Sequence, residues 1–122
     1  MDSPHNPEDA LSAYCPTFQS AVELIGRRWS GSIVRTLLFG SVRFGDILAR
    51  VPGLSDRLLS ERLRELEAAG VVKRAVYPEI PVRIEYTLTQ KGRELEQIVA
   101  AIDSWAGRWF EGAKPEPHEA AG

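Results

Sequence analysis

The 122-residue sequence contains one cysteine and two histidines. A single cysteine excludes an internal disulfide and suits a reducing, cytoplasmic setting. His5 and His118 lie towards opposite ends, so no Cys/His spacing for a metal site exists, and neither a metal nor a cofactor is expected. No apolar run approaches the roughly 20 residues that cross a membrane, and no signal peptide opens the chain, so no membrane partner is expected. The chain also lacks a glycine-rich phosphate loop after a strand and a Ser/His/Asp set that one fold would bring together. With these motifs missing, an enzymatic role is not expected.

What is present fits one globular domain, because 43% hydrophobic and 26% charged residues exclude both a disordered chain and a membrane protein. The charge is unevenly placed. Residues 27–93 hold 13 Lys/Arg against 7 Asp/Glu, while the flanks 1–26 and 94–122 hold 2 against 10. A basic middle between acidic ends suggests a footprint for a polyanion.

The longest informative stretch is Leu54–Gly70. Leu59, Leu63 and Leu66 recur at helical spacing and predict one buried stripe. Arg57, Ser60, Glu61 and Arg64 repeat that spacing on another face, which is wholly polar. Ser55 is placed to cap the start, and Gly70 suits the left-handed position past the end. Carboxylates such as Glu61, four residues after Arg57, read as surface partners of helix arginines.

Around this helix the order is regular. Residues 1–14, polar and carrying Pro4 and Pro7, are expected to form a flexible arm. Cys15-Pro16-Thr17 opens a helix with the stripe Phe18, Ala21, Val22, Ile25, closed by Gly26. Trp29, Ile33, Val34, Leu37 and Leu38 predict a second helix up to Gly40, and Ser41–Arg43 reads as extended. Phe44, Ile47, Leu48 and Val51 give a third helix, broken at Pro52-Gly53. The tight glycine-containing turn into Leu54–Gly70 matches a helix-turn-helix.

Beyond Gly70 the period becomes two. Val82, Ile84, Tyr86 and Leu88 alternate with polar residues, Val71–Tyr77 is rich in β-branched and aromatic residues, and Pro78–Pro81 forms an exposed tip between them. A strand pair directly after a helix-turn-helix makes a winged helix, an α+β fold. Thr89 is expected to start one last helix, from Gln90 to about Glu111 and ~33 Å long. Its stripe outreaches so small a core. Leu95, Ile98, Ile102, Trp105 and Trp109 are therefore expected at a homodimer interface, with the first helix beside them. Residues 15–111 then form the domain and 112–122 a disordered tail.

Four stretches carry a family resemblance: Cys15-Pro16, GRRW at 26–29, LSDRLLSERLRELEAAGVV at 54–72, and YPEIPVRIEYTLT at 77–89. Together they resemble the HxlR-type winged-helix transcription regulators, relatives of the MarR group. The resemblance implies a DNA-binding homodimer on a near-palindromic operator, with dimerisation helices at both ends of the domain. It also implies a role for Cys15, because in several members a cysteine ahead of the first helix senses quinones, aldehydes or disulfide stress. A thiol at a helix N-terminus has its thiolate favoured by the dipole, which is compatible with that role. With no second cysteine in the chain, any disulfide would join subunits or use a small thiol.

The expected division of labour follows from position. Ser55, Arg57, Ser60, Glu61 and Arg64 face the major groove of double-stranded DNA, where Arg binds guanine and Glu accepts from cytosine. Arg43, Arg74 and Arg83 contact phosphates and set register. The alternative from another class is a winged-helix protein–protein interaction module without sequence-specific DNA binding. Its binding would lack the steep salt dependence that phosphate contacts impose. No effector is identified by the sequence.

Overall fold

In a computed structural model that describes residues 13–110, the elements run α1 (Pro16–Gly26), α2 (Ser30–Leu37), β1 (Val42–Arg43), α3 (Phe44–Arg50), α4 (Asp56–Ala68), β2 (Val72–Tyr77), β3 (Arg83–Leu88), α5 (Gln90–Arg93) and α6 (Glu96–Trp109). Most of the expected N-terminal arm, the C-terminal tail and Glu111 lie outside the described residues.

The stripes read from the sequence converge on one core. Ile33, Val34 and Leu37 of α2, Ile47 of α3 and Leu59, Leu63 and Leu66 of α4 pack against Val42, Val72, Tyr86 and Leu88 of the sheet. The sheet is antiparallel with strand order β1-β3-β2. Val42 lies opposite Tyr86 on one side of β3, and Arg74 lies opposite Tyr86 on the other. A two-stranded wing was the expectation, so β1 is an addition: two extended residues gain ladder partners because Val42 must reach the core beside Tyr86.

Both ends of α4 are closed as its sequence predicts. The Ser55 hydroxyl oxygen accepts from the Leu58 N–H at 3.1 Å. Gly70 takes a φ of +79°, and the Val71 N–H returns to the Leu66 carbonyl at 2.9 Å. Two carbonyls past the helix end gain donors from the far side of the wing. Lys91 Nζ donates to the Ala69 carbonyl at 2.7 Å, and the Thr89 hydroxyl to that of Gly70 at 2.5 Å.

The single C-terminal helix expected from Gln90 is instead two. Thr89 does cap it, accepting from the Gly92 N–H at 3.1 Å, but α5 has only 4 residues and α6 has 14. A tight bond from the Leu95 N–H to the Gly92 carbonyl, 3.0 Å, closes the joint. The cause is tertiary. Gly92 lies so near the start of β2 that a Cβ there would stand 2.2 Å from the Val71 carbonyl oxygen and 3.0 Å from Leu88 Cδ2. With its first turn pressed on the sheet, the helix is interrupted at Glu94 and Leu95 before it resumes as α6, ~21 Å long.

Neither α1 nor α6 buries a residue completely within the chain. Leu95 and Val99 pack on the core edge, while Ile98, Ile102, Trp105 and Trp109 are exposed, the last at 71%. On α1, Phe18 is 67% exposed and Val22 is also exposed. One ion pair, Arg35 to Asp103 at 3.2 Å, ties α6 to α2.

Candidate nucleic-acid interface

Helix α4 turns its leucines inward, which leaves all its polar residues but the buried Arg62 towards the outer surface. Two i,i+4 pairs run along that surface. Arg57, whose side chain is 85% exposed, lies 3.4 Å from Glu61, and Arg64 Nη1 donates to Ser60 Oγ at 2.9 Å. Exposed pairs of this kind contribute at most about 1 kcal/mol, so the arginines can exchange these partners for other acceptors at small cost. Ser55 stands at the same end, its hydroxyl oxygen already holding the helix start.

The wing root joins this surface. Ser60, Leu63, Arg64 and Glu67 of α4 line one open groove of about 380 Å³ with Arg74 and Tyr86 of the sheet. Arg43, Lys73 and Arg74 are exposed and form no ion pair with a described carboxylate. Asp46 Oδ2 accepts from the Arg43 N–H at 3.1 Å, which fixes the start of α3 and with it the place of Arg43.

Arg83 is differently placed. Its guanidinium donates to both oxygens of Glu79, at 2.8 and 3.2 Å, and to Glu85 at 2.6 Å, and it lies 3.9 Å over the Tyr77 ring. The hydrogen bond from Arg83 holds the Glu79 carboxyl below the ordinary glutamate value, with the positive charges of Arg83 and Arg43 acting the same way. The same bonds raise the Arg83 pKa further. The structure thus gives Arg83 partners within the wing, where the sequence had suggested a phosphate.

Arg62 was not singled out by the sequence. It is buried, donates from Nε to the Arg28 carbonyl at 2.9 Å, and pairs with Glu65 at 3.3 Å. Arg27 reaches Glu65 as well, at 3.6 Å. The α1–α2 junction is thereby tied to α4. At that junction Trp29 adopts a φ of +79°, unusual for a residue with a side chain. Cys15 stands just before Pro16, half-buried, with its carbonyl accepting from the Gln19 N–H at 2.9 Å.

Among the described residues no group of His, Cys, Asp and Glu is placed to hold a metal ion, and no helix is long and apolar enough to cross a membrane. Residues 24–114 match the model of the HxlR-like helix-turn-helix proteins. The chain belongs to the HxlR-like helix-turn-helix family. HxlR relatives are regulators rather than enzymes. The chain is 54% identical over 100 residues to YvaP of Bacillus subtilis (strain 168), an uncharacterized HTH-type transcriptional regulator, a match covering 82% of this chain and 93% of YvaP. It is 42% identical over 97 residues to the HTH-type transcriptional regulator YodB of the same organism, covering 80% of this chain and 87% of YodB. Among solved structures, reduced YodB from B. subtilis gives a TM-score of 0.72 at 40% identity, covering 83% of this chain and 99% of that one. The reduced form of the redox regulator HypR gives 0.74 at 35% identity, covering 78% and 94%. The HxlR match begins after α1 has started, so Cys15 lies outside it.

Proposed function

We propose that this HxlR-family regulator works in the cytoplasm as a homodimer on a near-palindromic operator, and that Cys15 makes it responsive to oxidants or electrophiles. The outer face of α4 is the observation that carries the reading. Arg57, Ser60, Glu61 and Arg64 line it, Ser55 stands at its start, and both ends of the helix are capped by hydrogen bonds. These residues read base edges in the major groove. Arg43 and Arg74 contact flanking phosphates, and Arg83 acts within the wing.

The homodimer reading is supported by the apolar stripes that the single chain leaves exposed on α1 and α6. Ile98, Ile102, Trp105 and Trp109 form the interface, with Phe18 and Val22 beside them, while Leu95, expected among them, packs on its own core edge. The redox reading is supported by relatives: YodB is known in reduced, diamide-treated and quinone-bound forms, and HypR in reduced and oxidized forms. Modification of Cys15 adds bulk or charge at the base of α1, and the α1–α2 junction carries the displacement to α4 through Arg62.

A gel-shift titration against an inverted repeat, identified by footprinting upstream DNA, tests this reading. Diamide or a quinone should change the affinity of the wild type and leave Cys15→Ser unaffected. An equal response in both proteins, or none in either, removes Cys15 from the mechanism. Binding that ignores DNA sequence and salt removes the operator.

A further inference from the structure

Ile80, at the tip of the wing, is 102% exposed, more than any other large apolar side chain among the described residues. The tip that carries it is braced. Pro78 and Pro81 restrict the backbone on either side. Across the base Arg83 holds Glu79 in a two-pronged grip and Glu85 with a third bond. The charges of Glu79 and Glu85 are answered by Arg83 and the neighbouring Arg43. An apolar side chain on a rigid, charge-balanced tip offers nothing to a phosphate. It suits a base step approached from the minor groove, where apolar wedges insert and partly unstack the bases.

The tip also has the right reach. Arg74 shares the groove with Ser60 and Arg64 of α4, and the strand from Arg74 to Pro78 extends ~13 Å at about 3.3 Å per residue. That is close to the width of one major groove. With α4 in the major groove, the tip arrives at the adjoining minor groove.

We infer that Ile80 is a minor-groove wedge that favours operators with an easily unstacked pyrimidine–purine step beneath the wing, and that Arg83 positions it. The inference rests on the DNA-binding reading above. It places part of the specificity at base pairs that no polar side chain touches.

The test uses the full chain and fluorescence anisotropy on the footprinted operator and on versions in which the step beneath the wing is TA, CA or GC. Ile80→Ala should bind the TA operator roughly ten-fold more weakly and lose the preference among steps. Its slope of log affinity against log salt should stay that of the wild type, since no phosphate contact is lost. Arg83→Gln should show the same loss at unchanged slope, and should add little in the Ile80→Ala background. Because the Ile80 side chain is fully exposed, an unchanged melting temperature verifies that the variant folds. Wild-type affinity and step preference in Ile80→Ala overturn the wedge, as they would if the tip docked on another protein. A salt slope lowered by about one in Arg83→Gln overturns the positioning role, because it makes Arg83 a phosphate contact. Failure of the wild type to prefer any DNA sequence overturns the underlying reading instead, and is told apart by needing no variant.

Discussion

Arg57 and Arg64 hold their own-helix partners through exposed contacts, Glu61 and Ser60 respectively, that water competes for. Base edges offer the same donors stronger, two-pronged partners in a drier place. Arg57→Ala and Arg64→Ala should each cost ~1–3 kcal/mol on the operator and relax preference at single base pairs. Arg74→Ala should weaken all sequences alike and lower the salt slope by about one. A panel of operator variants at several salt concentrations separates the two behaviours, and indistinguishable profiles would refute the division. A different residue sets the stability of the frame. Gly92→Ala would drive a methyl group to 2.2 Å from a backbone oxygen that lies at the turn into β2. Backbone there has little freedom to retreat, so a loss of roughly 2–3 kcal/mol is expected in urea unfolding. A variant as stable as wild type would mean that α5 can lift off the sheet.

Among the elements, the link between α1–α2 and α4 runs through a buried guanidinium. Arg62→Met keeps the aliphatic bulk and removes the donors, leaving the Arg28 carbonyl without its bond from Nε. The loss should be about 1–3 kcal/mol of stability, measured by denaturant unfolding, and a neutral result would show that Arg28 finds water instead. The wing brace has a pH signature of known sign. The Glu79 carboxyl is held below its ordinary 4.5, so its contribution is complete above that value and fades as pH falls through the lowered one. NMR titration of that carboxyl should give a midpoint below 4.5, and a midpoint at or above 4.5 would contradict the brace. Helices α1 to α4 were legible because each declares itself by local spacing of apolar residues, and α4 by its caps as well. The pairing of β1 and the break between α5 and α6 were not, since they depend on how Val42 meets Tyr86 and Gly92 meets Val71 across the fold. Partners were equally hidden. Arg83 counts as positive charge in a sequence, while only the folded wing brings Glu79 and Glu85 to it. Arg62, three residues after Leu59 and four before Leu66, falls on the buried stripe of α4, but its partners Arg28 and Glu65 were not legible.

At the scale of the molecule, the exposed stripes of α1 and α6 make assembly part of stability. In the proposed homodimer, Trp105→Glu or Ile102→Glu should give monomers in sedimentation velocity at micromolar concentration. The wild-type melting temperature should rise with protein concentration, as it does for any species that binds only the folded form. A wild-type monomer at that concentration would refute the dimer. The fastening of α4 has a further, mechanical result. Its 13 residues make a rod ~20 Å long, pinned at the C-terminal end by Lys91 and Thr89 and carrying Arg57 near the other. A swing of 1° about the pin moves the far end by ~0.35 Å, whereas the useful range of a hydrogen bond is only about 0.5 Å wide. Two degrees therefore suffice to put Arg57 out of reach of a base, while Leu66, near the pivot, shifts by less than ~0.2 Å and Leu59 by ~0.5 Å. In the proposed regulator, angular play of this size would be enough to weaken operator binding, and a probe of secondary structure would register no change.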